Sequence, residues 1–413
     1  MRQVMGLNIL IEELEGSLWA AATDHGQLQG LEIDPVAEEV RWGSIYWARV
    51  KTIDAALDAV FLDLDGDNTG ILYNSDVRIR NKKTGTITKG GDKAIGKVLK
   101  PGDMIPVQAK TAYIPQQKSK GSENKIPQMS MDITLAGRYL VFCTMMDENK
   151  ISQRIQDKKL RNLIQKTLDA IKDSEGFIVR AAAASIQTEM LEREGKILRA
   201  AWRDIQKYFK GTDPGLIMLG PDAVQRMLSD KAGETIDIIE VVTMEHYTHV
   251  EEWCALFAPD LVTKITPLEM DNATDDFALF AHRDIIGKIE DLFKPYALLP
   301  GGGNILIQTT AALTAVDVNK GADKNAALSI NLQAADEIAR QIRLRNIGGA
   351  ILIDFLKFHG GPDLKKLLAA LENAFRDDPC TVQIHGRTGL GFIEISRKRR
   401  TPSLHDRFDG SIF

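Results

Sequence analysis

Apolar residues recur along the chain with two different periods, and the changes of period divide it into segments. Residues 46–53, 59–64 and 70–73 are short runs of β-branched and aromatic residues, divided by Asp-Gly and Asp-Asn turns, and predict strands. Pro101-Gly102 precedes a further such run, MIPVQAK. The period then lengthens. Ile151, Ile155, Leu160, Leu163, Ile164, Leu168 and Ile171 predict a helix over 151–172, and 185–210 predicts a second long one. Between them Phe177-Ile178-Val179 reads as a strand ending at Arg180. Residues 214–250 read as mixed α/β, with IDIIEVV a buried strand, and a helical pattern returns over 275–294. Pro300-Gly301-Gly302-Gly303 then breaks the chain. Beyond it, 304–308 and 313–318 predict strands, followed by a helix with Leu332, Ala335, Ile338 and Ile342 on one side. Asn346 and Gly348-Gly349 end that helix, and 350–355 is a third strand. A strand–helix–strand unit of this kind implies a parallel crossover.

The chain has 413 residues, 44% of them hydrophobic and 26% charged, so an α/β protein of two to four domains with real cores is expected. The formal charge of −5 excludes a uniformly basic nucleic-acid coat protein, but it hides an asymmetry. From Arg78 to Lys125 twelve Lys and Arg face three acidic residues, a net +9, which leaves −14 for the remainder. Such a module binds a polyanion locally or forms a solvated loop face. The short strands around it point to a small antiparallel barrel of the OB type, a common binder of single-stranded nucleic acid. Phe61 is then a stacking platform or a core aromatic. Asp65, Asp67, Thr69 and Asp76 imitate calcium-loop spacing, but the flanking runs predict strands where an EF-hand needs helices, so a tight turn is expected.

Three distant cysteines, Cys143, Cys254 and Cys380, make neither a disulfide framework nor a CxxC pair. His246, His249 and Cys254 lie close in sequence but lack a spaced fourth zinc ligand, and surface polar residues are expected there. No apolar run is long enough to span a bilayer, and Glu12 and Glu13 interrupt any signal-type core, so a cytoplasmic protein is expected. Walker A, GxSxG and HExxH motifs are all absent.

The chemistry concentrates in 301–355. Asp317 and Asp354 fall near the C-terminal ends of strands on one sheet edge, where open α/β sheets gather functional groups. With the Asn319 amide they would make a small all-oxygen site suited to magnesium and a phosphate substrate, or they cap strand ends. The residues point to a metal-assisted phosphodiesterase.

LTAVDVN (313–319), NLQAADEIARQIRLRNIGG (331–349), ILIDF (351–355) and HGRTGLGFIEISRKRRTPSL (385–404) resemble the ribonuclease E/G endoribonucleases. LAGRYLV (135–141), KISQRI (150–155), GFIVR (176–180) and AVFLDL with its following GIL match as well, in the family order. The resemblance implies an OB-type RNA-binding barrel over 41–130, inserted in an RNase H-like subdomain formed by 1–40 and 221–295. It further implies a 5′-sensor region over 131–220 and a DNase I-like catalytic subdomain over 296–413. By the same resemblance Asp317 and Asp354 hold magnesium, or manganese, and Asn319 assists at the scissile phosphate. In-line attack by a metal-activated water on single-stranded RNA would leave 5′-phosphate and 3′-hydroxyl ends. Phe61, Lys125 and Arg154 match RNA-contacting positions, and Ile71 stands where the family has a second aromatic. Gly137, Val141 and Arg180 match the 5′-monophosphate pocket.

The sequence also departs from the family pattern. Ala181 stands for a threonine and Thr381 for an arginine of the 5′ pocket, which removes a hydroxyl and a bidentate donor. A weak or absent preference for 5′-monophosphorylated RNA follows. Gln308, Ala312 and Lys357 replace acidic residues around the metal. The chain ends at Phe413 with no CPxC pair, so zinc-linked tetramers are not expected. A monomer is expected, with a dimer through another contact as the alternative. The expected function is a magnesium-dependent endoribonuclease of RNA processing or decay, including rRNA processing and mRNA decay. An RNA-binding protein on the same scaffold with little cleavage is the competing reading, and a phosphohydrolase of small nucleotides a weaker third.

Overall fold

The computed structural model describes residues 6–34, 40–81, 84–112, 126–171, 173–271, 275–358 and 360–408. The architecture is mixed α/β with a small closed barrel, in two compact units, Met1–Ala20 with Glu32–Leu279 and Ala21–Leu31 with Phe280–Phe413.

In the first unit, the N-terminal strand Leu7–Leu14 pairs in parallel with Ile236–Val241, which pairs in parallel with Ile265–Pro267. The first two of these strands are adjacent in space and more than 200 residues apart in sequence, with Gly6 donating to the Asp237 carboxylate across 231 positions. The chain over 40–235 is therefore inserted between strands of one sheet. Part of that insertion is the barrel. Ile45–Asp54 pairs with Ala59–Asp63, and that strand with Thr69–Tyr73. Gln128–Ser130 joins Thr69–Tyr73 in parallel, then pairs with Met104–Ala109, which returns to Ile45–Asp54 and closes the ring. Inward positions fill it, among them Val50, Val60, Leu62, Leu72 and Val107, and Ile95 and Leu99 from the basic segment join the same core. The Asp65 turn is a tight strand connection as expected: its carboxylate accepts the Asp67 and Asn68 N–H groups.

The predicted 151–172 helix begins only at Lys158. Ile151 ends a short strand, Ile155 is buried in the turn that follows, and Asp157 caps the helix by accepting from the Lys159 and Leu160 N–H groups. Two apolar residues at helical spacing thus belong to other elements. The second helix is Thr188–Gln206, and both pack with a four-stranded sheet of Thr134–Ala136, Leu140–Cys143, Gly176–Val179 and Lys150–Ile151. The 275–294 pattern breaks into the short helices Ala278–His282 and Ile286–Glu290, because Phe277 and Asp284 adopt left-handed backbone. His246 and Cys254 are buried, which corrects their reading as surface residues: the His246 ring meets Glu13, and His249 pairs with Asp222 instead.

The second unit holds a six-stranded sheet in the order Tyr296–Leu298, Asn304–Thr309, Leu313–Asn319, Gly349–Asp354, Ile393–Arg397, Val382–Arg387. Leu313–Asn319 and Gly349–Asp354 are parallel, joined through the helix Ala327–Leu344, and their other neighbours are antiparallel. That helix and Gly360–Ala374 supply Ile330, Ile338, Ile342, Leu367 and Leu371 to one core with Val316, Val318, Ile351 and Ile353 of the sheet. Side chains alternate along each strand, so the other face stays free of these helices.

Candidate active site and the family of the chain

Asp317 and Asp354 are directly opposite each other in the parallel register. Val316 and Val318 point into the helix-side core, so Asp317 and Asn319 project from the opposite face, where Asp317 and Asp354 are exposed. Strand spacing of about 4.8 Å brings the two carboxylates side by side. Asn319 Nδ2 donates to Asp317 Oδ2 at 2.9 Å and reaches Asn304 Oδ1 at 3.4 Å. Asp354 has no hydrogen bond or ion pair through its carboxylate among the described residues, and Asp317 has only the Asn319 amide. Two like charges held together without a protein cation favour a metal counter-ion. An exposed, all-oxygen donor set with room for water fits magnesium or manganese.

Asn331 is a positioning residue that the sequence reading passed over. It is fully buried on the core side of the Ala327–Leu344 helix, where its Nδ2 donates to Leu356 O at 2.8 Å and its Oδ1 accepts from Leu356 N at 3.0 Å. That pair fixes the chain two residues past Asp354. The signal was an amide on an otherwise apolar helix stripe. Lys357 follows, exposed and without an ion pair among the described residues. Gln308 lies on the same sheet face as Asp317, and Ala312 is exposed in the hairpin turn beyond it. Nearby, Arg387 lies over the Phe358 ring, 5.7 Å from its centroid.

The remaining expected residues, apart from Thr381, lie in the first unit. Phe61 points outward from the barrel, partly exposed, and Ile71 is its cross-strand neighbour. Arg154 is exposed in the turn after Lys150–Ile151, whereas Lys125 lies outside the described residues. Gly137, Val141 and Arg180 come together on the four-stranded sheet, where Val141 faces Ile178 and Arg180 N donates to Tyr139 O. Arg180 Nη1 donates to Ser229 O at 3.2 Å and stands 4.0 Å from the Asp230 carboxylate. Ala181 opens a short 3₁₀ turn, and Thr381 is exposed in the second unit.

Beside Gly137 the Glu194 carboxylate is buried and accepts from Tyr139 N and Leu140 N, both at 2.9 Å. A Cβ on Gly137 would come within 2.1 Å of Glu194 Oε1, so glycine is required for this approach. Burial pushes the Glu194 carboxyl up to about 7, against the Leu140 and Tyr139 N–H groups and the charges of Arg180 and Arg138, which lower it. The folded chain thus keeps a proton that the unfolded chain releases near 4.5. Stability from this group is present at low pH and is lost as pH rises through about 7. Glu194→Gln retains the Oε1 acceptor and should flatten the fall in melting temperature between about pH 5 and pH 8. Parallel profiles for the two proteins would refute the assignment.

Comparison with known sequences identifies the family of the chain. The model of the Ribonuclease E/G family matches residues 134–400, a span that includes Asp317, Asn319 and Asp354. Ribonuclease G of Salmonella typhimurium is 28% identical over 415 residues, covering 97% of this chain and 81% of that protein. Ribonuclease E of Escherichia coli K12 is 31% identical over 401 residues, covering 94% of this chain and 36% of that protein. Among the described residues no helix is long and apolar enough to cross a membrane, and no group of three or more His, Cys, Asp or Glu side chains could hold a metal ion, so the candidate site rests on two carboxylates and an amide. With a match over well more than half its length, the chain belongs to the ribonuclease E/G family of endoribonucleases.

Proposed function

We propose that the chain hydrolyses single-stranded RNA internally, with Asp317 and Asp354 holding one magnesium or manganese ion and leaving 5′-phosphate and 3′-hydroxyl ends. The observation that carries this is the pair of facing, cation-free carboxylates on an open sheet face. The chemistry such an ion supplies when bound is acidification of water and neutralisation of charge on the phosphate. Asn319 orients Asp317 through its amide, and the Asn331 clamp fixes the backbone behind Asp354. Lys357 adds a phosphate contact where the family has an acid. In this reading the barrel is OB-type and carries the RNA on its outward face past Phe61, with Lys125 and Arg154 as further contacts. The 1–40 and 221–295 segments are RNase H-like, 131–220 is a 5′-sensor-like region, and 296–413 is DNase I-like. The protein acts in the cytoplasm, as a monomer, in RNA processing or decay.

The test is cleavage of an unstructured, 5′-hydroxyl, fluorophore-labelled RNA in magnesium, with a chelator control. Internal cuts that vanish on chelation, and that leave 5′-phosphate ends, are expected. The same RNA with a 5′-monophosphate should be cut at the same rate to within about threefold, since Ala181 lacks a hydroxyl and Arg180 already faces Asp230. The exposed Lys357 and Gln308 favour a second reading, a binder that cuts little, because they reduce the negative charge that would retain a metal. Tight binding of intact RNA at high enzyme and metal would select it.

A further inference from the structure

The outward face of the barrel that holds Phe61 carries a second aromatic ring that no motif marks. Val60, Leu62 and Leu72 point into the barrel core, so the alternating residues Phe61, Ile71 and Tyr73 point out, Ile71 covered at 7% exposure and the two rings beside it partly exposed. Ile71 faces Phe61, and Tyr73 faces Ala59, which makes Tyr73 the diagonal neighbour of Phe61 on one surface. Diagonal neighbours stand about 7–8 Å apart, close enough for successive nucleotides of one strand. The Tyr73 side chain is partly exposed, with no hydrogen bond through its hydroxyl and no ring contact among the described residues.

Cations lie on a segment pinned to the same end of the barrel, where the Tyr73 strand ends. Asp58 and Asn74 form the pin. Asp58 accepts from Ile95 N at 2.9 Å and from Asn74 Nδ2 at 2.7 Å; the same amide donates to Lys93 O at 2.7 Å, and Gly91 N donates to Asn74 Oδ1 at 3.1 Å. Gly90 passes so close that a Cβ would sit 1.7 Å from Asn74 O. Asn74 follows Tyr73 directly, so the pinned segment is tied to the end of the Tyr73 strand. Lys93 and Lys97 on that segment are exposed and have no ion pair among the described residues, whereas Arg78, Arg80 and Lys110 of the same basic stretch are each paired with an aspartate.

We infer that Tyr73, Lys93 and Lys97 form a nucleotide subsite that continues the Phe61 face, with one base stacked on the Tyr73 ring and the flanking phosphates on the two ammonium groups. This rests on the reading of the barrel as an RNA binder. The occupant is single-stranded RNA, since only an unpaired base offers a free face to an aromatic ring, and its charge complements the unpaired lysines.

The test is fluorescence anisotropy with a labelled, unstructured RNA of about 12 nucleotides, in chelator so that nothing is cut. Tyr73→Ala should weaken binding about tenfold, Tyr73→Phe should bind as the wild type, and the affinity for duplex RNA should not change. Lys93→Ala with Lys97→Ala should reduce the slope of log K against log salt by about 1.4. If Phe61→Ala loses affinity while Tyr73→Ala binds as the wild type, with unchanged melting temperatures, the subsite is overturned and the barrel reading stands. If the wild type does not bind this RNA, both fall together.

Discussion

Asp354→Asn is expected to lower the rate of RNA cleavage about 10³-fold while leaving RNA affinity and thermal stability unchanged or slightly improved. The asymmetry follows from how Asp354 sits. It is exposed, no described residue hydrogen-bonds its carboxylate, and its register partner is another carboxylate. An amide of the same shape removes one of two adjacent like charges, so the fold loses nothing and sheds a repulsion. Function loses half of the anionic donor set. Single-turnover cleavage at saturating enzyme, read beside a melting curve and binding in chelator, separates the two effects. Residual activity within tenfold of the wild type would place the reaction elsewhere. A loss of cleavage accompanied by a fall in melting temperature of many degrees would make Asp354 a structural residue instead.

Much of this site was legible in the sequence because its determinants are local. Val316-Asp317-Val318-Asn319 alternates apolar and polar, Ala327–Leu344 repeats with helical period, and the Asn346–Gly349 break sets where the next strand starts. Two strands joined by one helix leave their C-terminal ends on one edge, so placing Asp317 beside Asp354 needed no distant information. The Asn331 clamp was not legible, because a buried amide is recognised by the backbone groups it meets, and those belong to Leu356. Pairing of Leu7–Leu14 with Ile236–Val241 was not legible in the strands themselves, since parallel strands carry no turn to announce the partner; only the family resemblance joined 1–40 to 221–295. The misplaced start of the Lys158–Ala170 helix has a simpler cause. Apolar spacing counts Ile151 and Ile155 as helical, while the capping Asp157 between them and the helix marks the true boundary.

Asp378→Ala is expected to cost about 3–5 kcal/mol of stability and to reduce cleavage with it. Both Asp378 oxygens accept from Arg397 Nε, at 3.1 and 3.0 Å, and the two side chains are only 0% and 2% exposed. Arg397 Nη1 donates to Asn346 Oδ1 at 3.2 Å and Ile347 O at 2.9 Å, which anchors the turn between the Ala327–Leu344 helix and the strand that ends in Asp354. Asn346 holds left-handed backbone there and donates to Thr401 Oγ1 at 2.7 Å, so the asparagine that Arg397 holds ties the helix end to the C-terminal segment. Removing the aspartate leaves a buried guanidinium without its counter-charge, and the penalty is that charge's desolvation rather than the value of the pair. Asp378→Ala combined with Arg397→Met should therefore recover most of the lost stability, because the uncompensated charge is gone. Urea unfolding of the wild type, both single variants and the double variant measures this coupling. Cleavage should recover less than stability, because methionine cannot hold Asn346 and Ile347, and the strand that presents Asp354 loses its anchor. A single variant that loses less than about 1 kcal/mol would show that water reaches Arg397 and that the pair is not the clamp.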